Sequence, residues 1–293
     1  MPGEDPGFFR RQRVAILGLG LMGGSMALAL RGQCAQLLGI DPDPAALELA
    51  RQRQVVDLAS ADAAELLPQA DIIILAAPVC AILRLLGDLP DLHPGPALVL
   101  DLGSTKQKVL LAMDLLPERF DPIGGHPMCG KERGGLAQAD ERLFRGATFA
   151  FTPLARTRSL ARNFASWLAE TVGARPLWLD AGTHDRWAAA TSHLPYLVAN
   201  ALAACTPLAA GSLVGSGFRS ATRLAPTPPN IMMDILMTNP ENILMALHDF
   251  CQNMSQIETL LAAGDFAVLQ EVLARGAEQQ MSLVAISEKG DLL

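Results

Sequence analysis

The sequence predicts an α/β protein in which a doubly wound sheet is followed by an all-helical domain. Three observations carry this prediction. A glycine-rich turn joins an apolar run to a helix-forming run near the N-terminus, short apolar runs then alternate with helical segments to about residue 180, and no convincing strand recurs past Asp180.

The opening unit is Val14-Ala-Ile-Leu-Gly18-Leu-Gly20-Leu-Met-Gly23-Gly-Ser25, which reads as strand, turn, helix. Gly18 would permit the tight turn, Gly20 would let a pyrophosphate approach the backbone, and Gly23 would let the helix pack closely on the strand. The phosphates would sit on the helix N-terminus, where free N–H groups and the dipole favour negative charge. A second run, Gln36 to Ile40, ends in Asp41, 23 residues after Gly18 and suited to bind the adenosine ribose hydroxyls. The alternative is a glycine turn that only packs. With strand, helix and acidic residue in register, the unit reads as a Rossmann-type dinucleotide site. Its expected contacts are Gly18, Gly20, Leu21, Met22, Gly23 and Asp41, with Pro78 at the end of a later strand.

The remaining elements follow in order. A helix is expected from Pro44 to about Arg53, with proline in its first turn. A short strand is expected at Val55–Leu58. Asp71 to Pro78 is an unbroken apolar run of the kind parallel strands show when helices cover both faces. A helix to about Leu86, a strand over Ala97–Leu102, the loop Gly103–Lys106 and another helix come next. The sheet continues through Asp121–Ile123 into Gly124-Gly-His126-Pro-Met-Cys-Gly130, and Ala147–Thr152 and Arg175–Leu179 flank a helix over Ser159–Val172. Asp185–Thr206, Asn230–Met237, Glu241–Ala263 and Phe266–Ile286 all read as helical. The domains are therefore expected at 1–180 and 181–293.

Composition narrows the function. The 50% hydrophobic and 18% charged residues fit a globular protein. A net charge of −7 argues against nucleic-acid or anionic-membrane partners, which call for a basic face. The five cysteines show no C-x-x-C spacing, which fits reduced thiols in a cytoplasmic protein and predicts no metal site. Met1 to Arg13 lacks the apolar core of a signal peptide and reads as a frayed leader. Trp187 to Phe218 has no Asp, Glu, Lys or Arg across 32 residues, but its Ser, His, Pro and Asn content speaks against a membrane span. Burial between helices in a homodimer is the preferred explanation.

Ligands of a doubly wound sheet gather at the carboxyl ends of its strands, where Ser104 and His126 fall. His126 reads either as a hydrogen-bonded loop histidine or as a general base for a hydroxyl proton that leaves with a hydride. Ser104 could equally cap a helix. Arg223 could be a surface arginine near a Pro-rich turn.

The motifs Gly18–Ser25, Asp101-Leu-Gly-Ser-Thr-Lys106, Gly125-His-Pro-Met-Cys-Gly-Lys-Glu132, Ser192-His-Leu-Pro195 and Gly217-Phe-Arg-Ser-Ala-Thr-Arg223 resemble, in order, those of the prephenate/arogenate dehydrogenase family. The resemblance implies a Rossmann domain followed by a helical dimerisation domain. It implies a small-molecule substrate: NAD(P)+ takes hydride from C4 of a cyclohexadienol while a ring carboxylate leaves as CO2. By the same resemblance His126 is the catalytic histidine on the C4 hydroxyl, and Ser104 is the serine beside it. Glu132 is an acidic residue at the pocket mouth, Ser192 a pocket serine, and Arg223 the anchor of a substrate carboxylate. A guanidinium suits that task because it grips a carboxylate through two parallel hydrogen bonds.

The sequence departs from the family pattern at Tyr196, where many members have histidine, at Ser220, where many have an acid, and near Met232, where many have tryptophan. These positions surround the substrate side chain, so Tyr196 is a further candidate contact. The lost acid at 220 removes a partner for the ammonium of arogenate and tilts the reading toward prephenate, with arogenate or dual specificity as the alternative. The glycine loop also resembles β-hydroxyacid dehydrogenases, but the lysines at 106, 108, 131 and 289 leave none for the linking helix that carries their catalytic lysine. A non-catalytic NAD sensor on the same fold is the remaining alternative, and it gives Ser104, His126 and Arg223 no purpose together.

NAD+ is the expected cofactor, because Asp41 would repel a 2′-phosphate and no arginine occurs in the next seven residues. kcat/KM should be higher with NAD+ than with NADP+, and Asp41→Ser should narrow the gap. Equal or greater efficiency with NADP+ in the unaltered enzyme would overturn the assignment.

Overall fold

The computed structural model describes residues 7–131 and 133–289. Strand β1 (Arg13–Leu17) passes through the glycine turn into α1 (Leu21–Leu30), followed by β2 (Gln36–Ile40), α2 (Pro44–Gln52), β3 (Leu58–Ser60) and α3 (Ala63–Leu66). The second half of the sheet unit contains β4 (Ile72–Leu75), α4 (Val79–Leu92), β5 (Ala97–Asp101), α5 (Gln107–Asp114) and β6 (Phe120–Pro127). It is extended by β7 (Thr148–Pro153), α6 (Ser159–Val172) and β8 (Arg175–Trp178). The helical segments are α7 (Ala181–Ala188), α8 (Leu194–Cys205), α9 (Ser216–Ala221), α10 (Pro229–Thr238), α11 (Pro240–Ala263) and α12 (Phe266–Lys289).

The eight strands form one sheet in the order β3-β2-β1-β4-β5-β6-β7-β8. Alternate residues of each strand face opposite layers. Val14 and Ile16 of β1 pack with α1, α2 and α6, whereas Ala15 and Leu17 pack with α3, α4 and α5. The strand order reverses between β1 and β4, which opens a crevice at the carboxyl ends of those strands.

Local chemistry sets the helix starts. The Asp43 carboxylate accepts from Ala45 N–H at 2.9 Å, with Pro44 in the first turn of α2. Asp180 caps α7 by accepting from Thr183 N–H at 2.9 Å. α1 begins at Leu21, with Gly20 at its N-cap. The short strand lies at Leu58–Ser60, later than expected; Val55 and Val56 are buried in the core through a turn. α4 runs to Leu92 through Pro90, beyond the expected stop at Leu86.

One finding settles a strand direction that the sequence reading left open, and another changes that reading. β7 runs antiparallel to β6, pairing Ala150 with His126 and Phe149 with Pro127. Among the described residues, the 128–147 connection contains only a short 3-10 turn, Leu136–Gln138, and no α-helix of the kind that usually carries a parallel crossover. The N-terminal leader is docked over residues 8–11: Phe9 is buried, its ring 5.4 Å from Phe164 and 5.3 Å from Trp167.

The chain forms two compact units, Met1–Pro240 and Glu241–Leu293. In the second, Gly264 at φ +69° ends α11, with Asp265 N–H donating to Leu260 O. Along α11 and α12, Leu244, Met245, Phe266, Leu273 and Met281 are exposed. No helix among the described residues is long and apolar enough to cross a membrane.

Candidate active site

The glycine turn gives the site its first wall. Gly18 has φ +99°, and a Cβ there would lie 2.6 Å from the carbonyl oxygen of Ala76 on the neighbouring strand. Gly20, at the N-cap of α1, faces open space. A Cβ on Gly23 would strike the Gly18 carbonyl, so Gly23 serves close packing of helix on turn. The Asp41 carboxylate accepts from Leu19 N–H at 2.6 Å and from Asp43 N–H at 2.8 Å. This fixes it at the edge of a cleft of about 550 Å³ that reaches Gly20 and Pro78. A bare helix N-terminus, a glycine with room before it and an anchored carboxylate are what a dinucleotide requires. The fit is met by residues of this chain alone.

A second cavity, about 330 Å³, continues from Gly20, Leu21, Met22 and Pro78 to Ser104 and Ile235. A third, about 720 Å³, shares the walls Ser104, Lys131, Thr227 and Ile235 and contains His126, Ser192 and Arg223. The three form a chain of cavities from Asp41 to Arg223, with Ser104 on the wall common to the last two. Cys129 also lines the third cavity, and burial pushes its thiol up to about 11, so it is not a thiolate nucleophile at neutral pH.

His126 is held there by two layers of contacts. Lys106 and Asp101 form a fully buried ion pair, and Lys106 Nζ also donates to the Gly125 carbonyl at 2.7 Å. Asp101 in turn accepts from Gly103 N–H at 2.8 Å and from Gly125 N–H at 3.2 Å. A Cβ on Gly125 would lie 2.8 Å from the Asp101 carbonyl oxygen, so this approach requires glycine. Beyond it, His126 Nδ1 lies 2.9 Å from His184 Nε2, and His184 Nδ1 lies 2.8 Å from Asp185 Oδ1. Desolvation, helped by the charge of Lys106, holds His126 well below the usual imidazole value. It is therefore neutral, and able to accept a proton, throughout the neutral range. Burial likewise lowers Lys106 from its ordinary value, opposed by Asp101 and Asp185.

The helical segment brings the other side of the site. Between α7 and α8 the backbone makes a π-helical turn, Ala189–His193. The turn lets Thr191 and Ser192 line the cavity while His193 is buried, its Nδ1 3.4 Å from the Asn239 amide. α10 is tied down by Thr238, whose hydroxyl lies 2.8 Å from that of Thr105, and by Asp234, which accepts from Cys80 N–H at 2.9 Å.

Of the residues singled out in the sequence, Ser104, His126, Ser192 and Arg223 converge on one cavity, and Gly20, Leu21, Met22, Pro78 and Asp41 line the clefts leading to it. Tyr196 does not line the cavity; it is buried in a cluster with Met232 and Ile235, one layer behind its wall. Glu132 lies outside the described residues. Missed were Asp101 and Lys106, whose burial no local pattern signals, and His184 and Asp185, whose value depends on a contact 58 residues away in sequence. An adjacent His-Asp pair opening a helix after the last strand was the one available signal. Arg84 and Asp88 of α4 were also missed, and both line the Asp41 cleft.

Two family models match the chain. Residues 26–177 match the family model for the nucleotide-binding domain of prephenate dehydrogenase, and residues 180–275 match that for its dimerization domain. Prephenate dehydrogenase from Bacillus subtilis is 32% identical over 268 residues, 87% of this chain and 71% of that protein. A crystal structure of prephenate dehydrogenase from A. aeolicus in complex with hydroxyphenyl propionate and NAD+ superposes with a TM-score of 0.85. It is 27% identical and covers 93% of this chain and 98% of that one. Arogenate dehydrogenase from Synechocystis gives 0.79 at 30% identity, covering 92% and 99%.

The buried pair generates a stability prediction. Lys106→Met should cost about 3–5 kcal/mol in urea denaturation, because it leaves the Asp101 carboxylate buried without its counter-charge. Adding Asp101→Asn should restore part of the loss. A double variant as unstable as the sum of the two single ones would show that the pair does not act as a unit.

Proposed function

The chain belongs to the prephenate dehydrogenase family, and from that premise we propose that it converts prephenate to 4-hydroxyphenylpyruvate with NAD+, a step of tyrosine biosynthesis. One observation carries the reading: a neutral, anchored imidazole and a guanidinium share a cavity whose wall, at Ser104, is also the end of the dinucleotide cleft.

Residues Gly18, Gly20, Leu21, Met22, Asp41 and Pro78 hold the cofactor, and Gly23 supports the turn beneath it. NAD+ bound there supplies the two-electron acceptor for the hydride from C4. Arg223 binds a carboxylate of the dianionic substrate, and Ser192 adds a hydroxyl from the π turn. Glu132 is assigned to the cavity mouth on resemblance, and Tyr196 backs the wall through Ile235. His126 accepts a hydrogen bond from the C4 hydroxyl and draws off its proton as the hydride leaves. Ser104 donates to the same oxygen. When the ring carboxylate departs as CO2, its electron pair makes the ring aromatic and the proton returns to the phenol oxygen. Prephenate is preferred to arogenate because Ser220 replaces the acidic partner an ammonium would need.

Residues 1–180 are assigned as the NAD-binding domain and 181–293 as the substrate and dimerisation domain, in line with the family matches that meet between 177 and 180. The active form is a homodimer. In the first unit Leu208 at 99% and Leu213 at 85% exposed, and in the second the apolar side chains along α11 and α12, are each suited to cover by a second copy. The five cysteines are free among the described residues, which fits a cytoplasmic enzyme.

NADH formation from prephenate and NAD+ tests the whole reading, with arogenate as the comparison substrate. His126→Asn should lower kcat by ~10²–10⁴-fold while leaving binding intact. In the unaltered enzyme kcat/KM should be full near neutrality and fall only as pH drops through the lowered His126 pKa. The acid limb should thus lie below 6.5 and be absent from the residual activity of His126→Asn. A variant that keeps more than about a tenth of kcat would remove His126 from this role.

Arg223→Ala should raise KM for prephenate by at least roughly 30-fold, with NAD+ affinity unchanged. Arg223→Lys should recover only part, since an ammonium keeps the charge but not the two-pronged geometry. A KM within about threefold of the unaltered value would place the anchor elsewhere, with Arg219 the next candidate.

A further inference from the structure

Behind His126 lies a line of polar groups whose donor and acceptor roles are fixed from one end. It begins at the buried Asp185 carboxylate. Asp185 Oδ1 accepts from Lys106 N–H at 2.7 Å and Oδ2 accepts from Gln107 N–H at 2.9 Å, at the start of α5. Backbone N–H groups can only donate, so Asp185 can only accept. Its contact with His184 Nδ1 at 2.8 Å therefore needs a proton on that nitrogen. With that single proton on its ring, His184 presents a bare Nε2, and the 2.9 Å contact with His126 then needs the proton on His126 Nδ1. On His126 the nitrogen left without a proton is Nε2.

We propose that His184 and Asp185 are a positioning pair for His126, holding its ring in the Nδ1–H tautomer so that the Nε2 lone pair is presented to the substrate hydroxyl. The proposal rests on the reading of His126 as the base. The pair is carried by rigid parts. His184 and Asp185 are the fourth and fifth residues of α7, the Asp185 carbonyl accepts from the Asn239 amide at 2.8 Å, and both side chains are buried. In the opposite tautomer His126 Nε2 would carry a proton and could not accept one. The pair touches neither the substrate cavity nor the dinucleotide cleft. His184 therefore acts through His126, while Asp185 also holds the start of α5.

The direct test is the tautomer itself. Long-range 1H–15N correlation spectra of the enzyme labelled with 15N-histidine should show His126 as Nδ1–H with bare Nε2, its signals assigned by their loss in His126→Asn. The kinetic test separates positioning from binding. His184→Leu should lower kcat by about 10- to 100-fold, the usual effect of removing a supporting partner, and leave KM for prephenate nearly unchanged. His184→Gln, whose amide oxygen can accept from His126 Nδ1–H, should restore most of kcat. A His126 ring protonated on Nε2, a doubly protonated His184 at neutral pH, or a His184→Leu enzyme with unaltered kcat would each overturn the pair. If the unaltered enzyme shows the expected tautomer but does not oxidise prephenate, the assigned reaction fails and the positioning pair stands.

Discussion

The structure depends most on the buried ion pair between Lys106 and Asp101. The parallel ladder between β5 and β6 ends at Leu100 and Ile123, and past it the two strand ends are joined through side chains. Lys106 Nζ reaches both Asp101 and the Gly125 carbonyl, so the loop carrying Ser104 and the strand carrying His126 share one anchor. The Lys106 backbone N–H goes to Asp185, which ties the same point to α7. Taking two charges fully out of water is costly, and further hydrogen bonds on both partners offset part of that cost. Asp101 finds the amides of Gly103 and Gly125, and Lys106 finds a carbonyl.

From that anchor the site divides its work by element. The sheet and the glycine turn present backbone and one carboxylate to a dinucleotide, surfaces that need little side-chain chemistry. The helical segment presents Ser192 and Arg223, and its π turn turns two successive residues opposite ways, Ser192 to the cavity and His193 to the core. Burial lowers the His193 pKa to about 4, and this ring stays neutral beside His184 and Asp185. Thr238, Asp234 and Asn239 bind α10 and its end to the loop before α5, to α4 and to α7, holding Ile235 on the wall shared by the two inner cavities.

Elements governed by local chemistry were legible in the sequence. β2 and α6 lie where expected, Gln36–Ile40 and Ser159–Val172, because a hydrophobic period and flanking glycines or polar residues define them without outside help. The Asp41 position, the open space at Gly20 and the strand-end placement of Ser104 and His126 follow from how a doubly wound sheet must be connected. Boundaries shifted where a neighbour decided them: Val55 and Val56 look like a strand but fill the core from a turn, and Phe9 looks like part of a loose end but fills a gap beside Phe164 and Trp167.

What the sequence alone determined is thus the sheet's order of elements, the dinucleotide turn and the residue types able to do acid–base and carboxylate chemistry. These depend on spacings of a few residues. Tertiary structure decided the reversed direction of β7, the withdrawal of Tyr196 behind the cavity wall, and the line from Asp185 through His184 to His126. Each of these joins residues distant in sequence, and a buried hydrogen bond has no periodicity to betray it. A histidine in solution carries no mark of which nitrogen will be protonated; only the carboxylate and helix start packed behind it assign that proton.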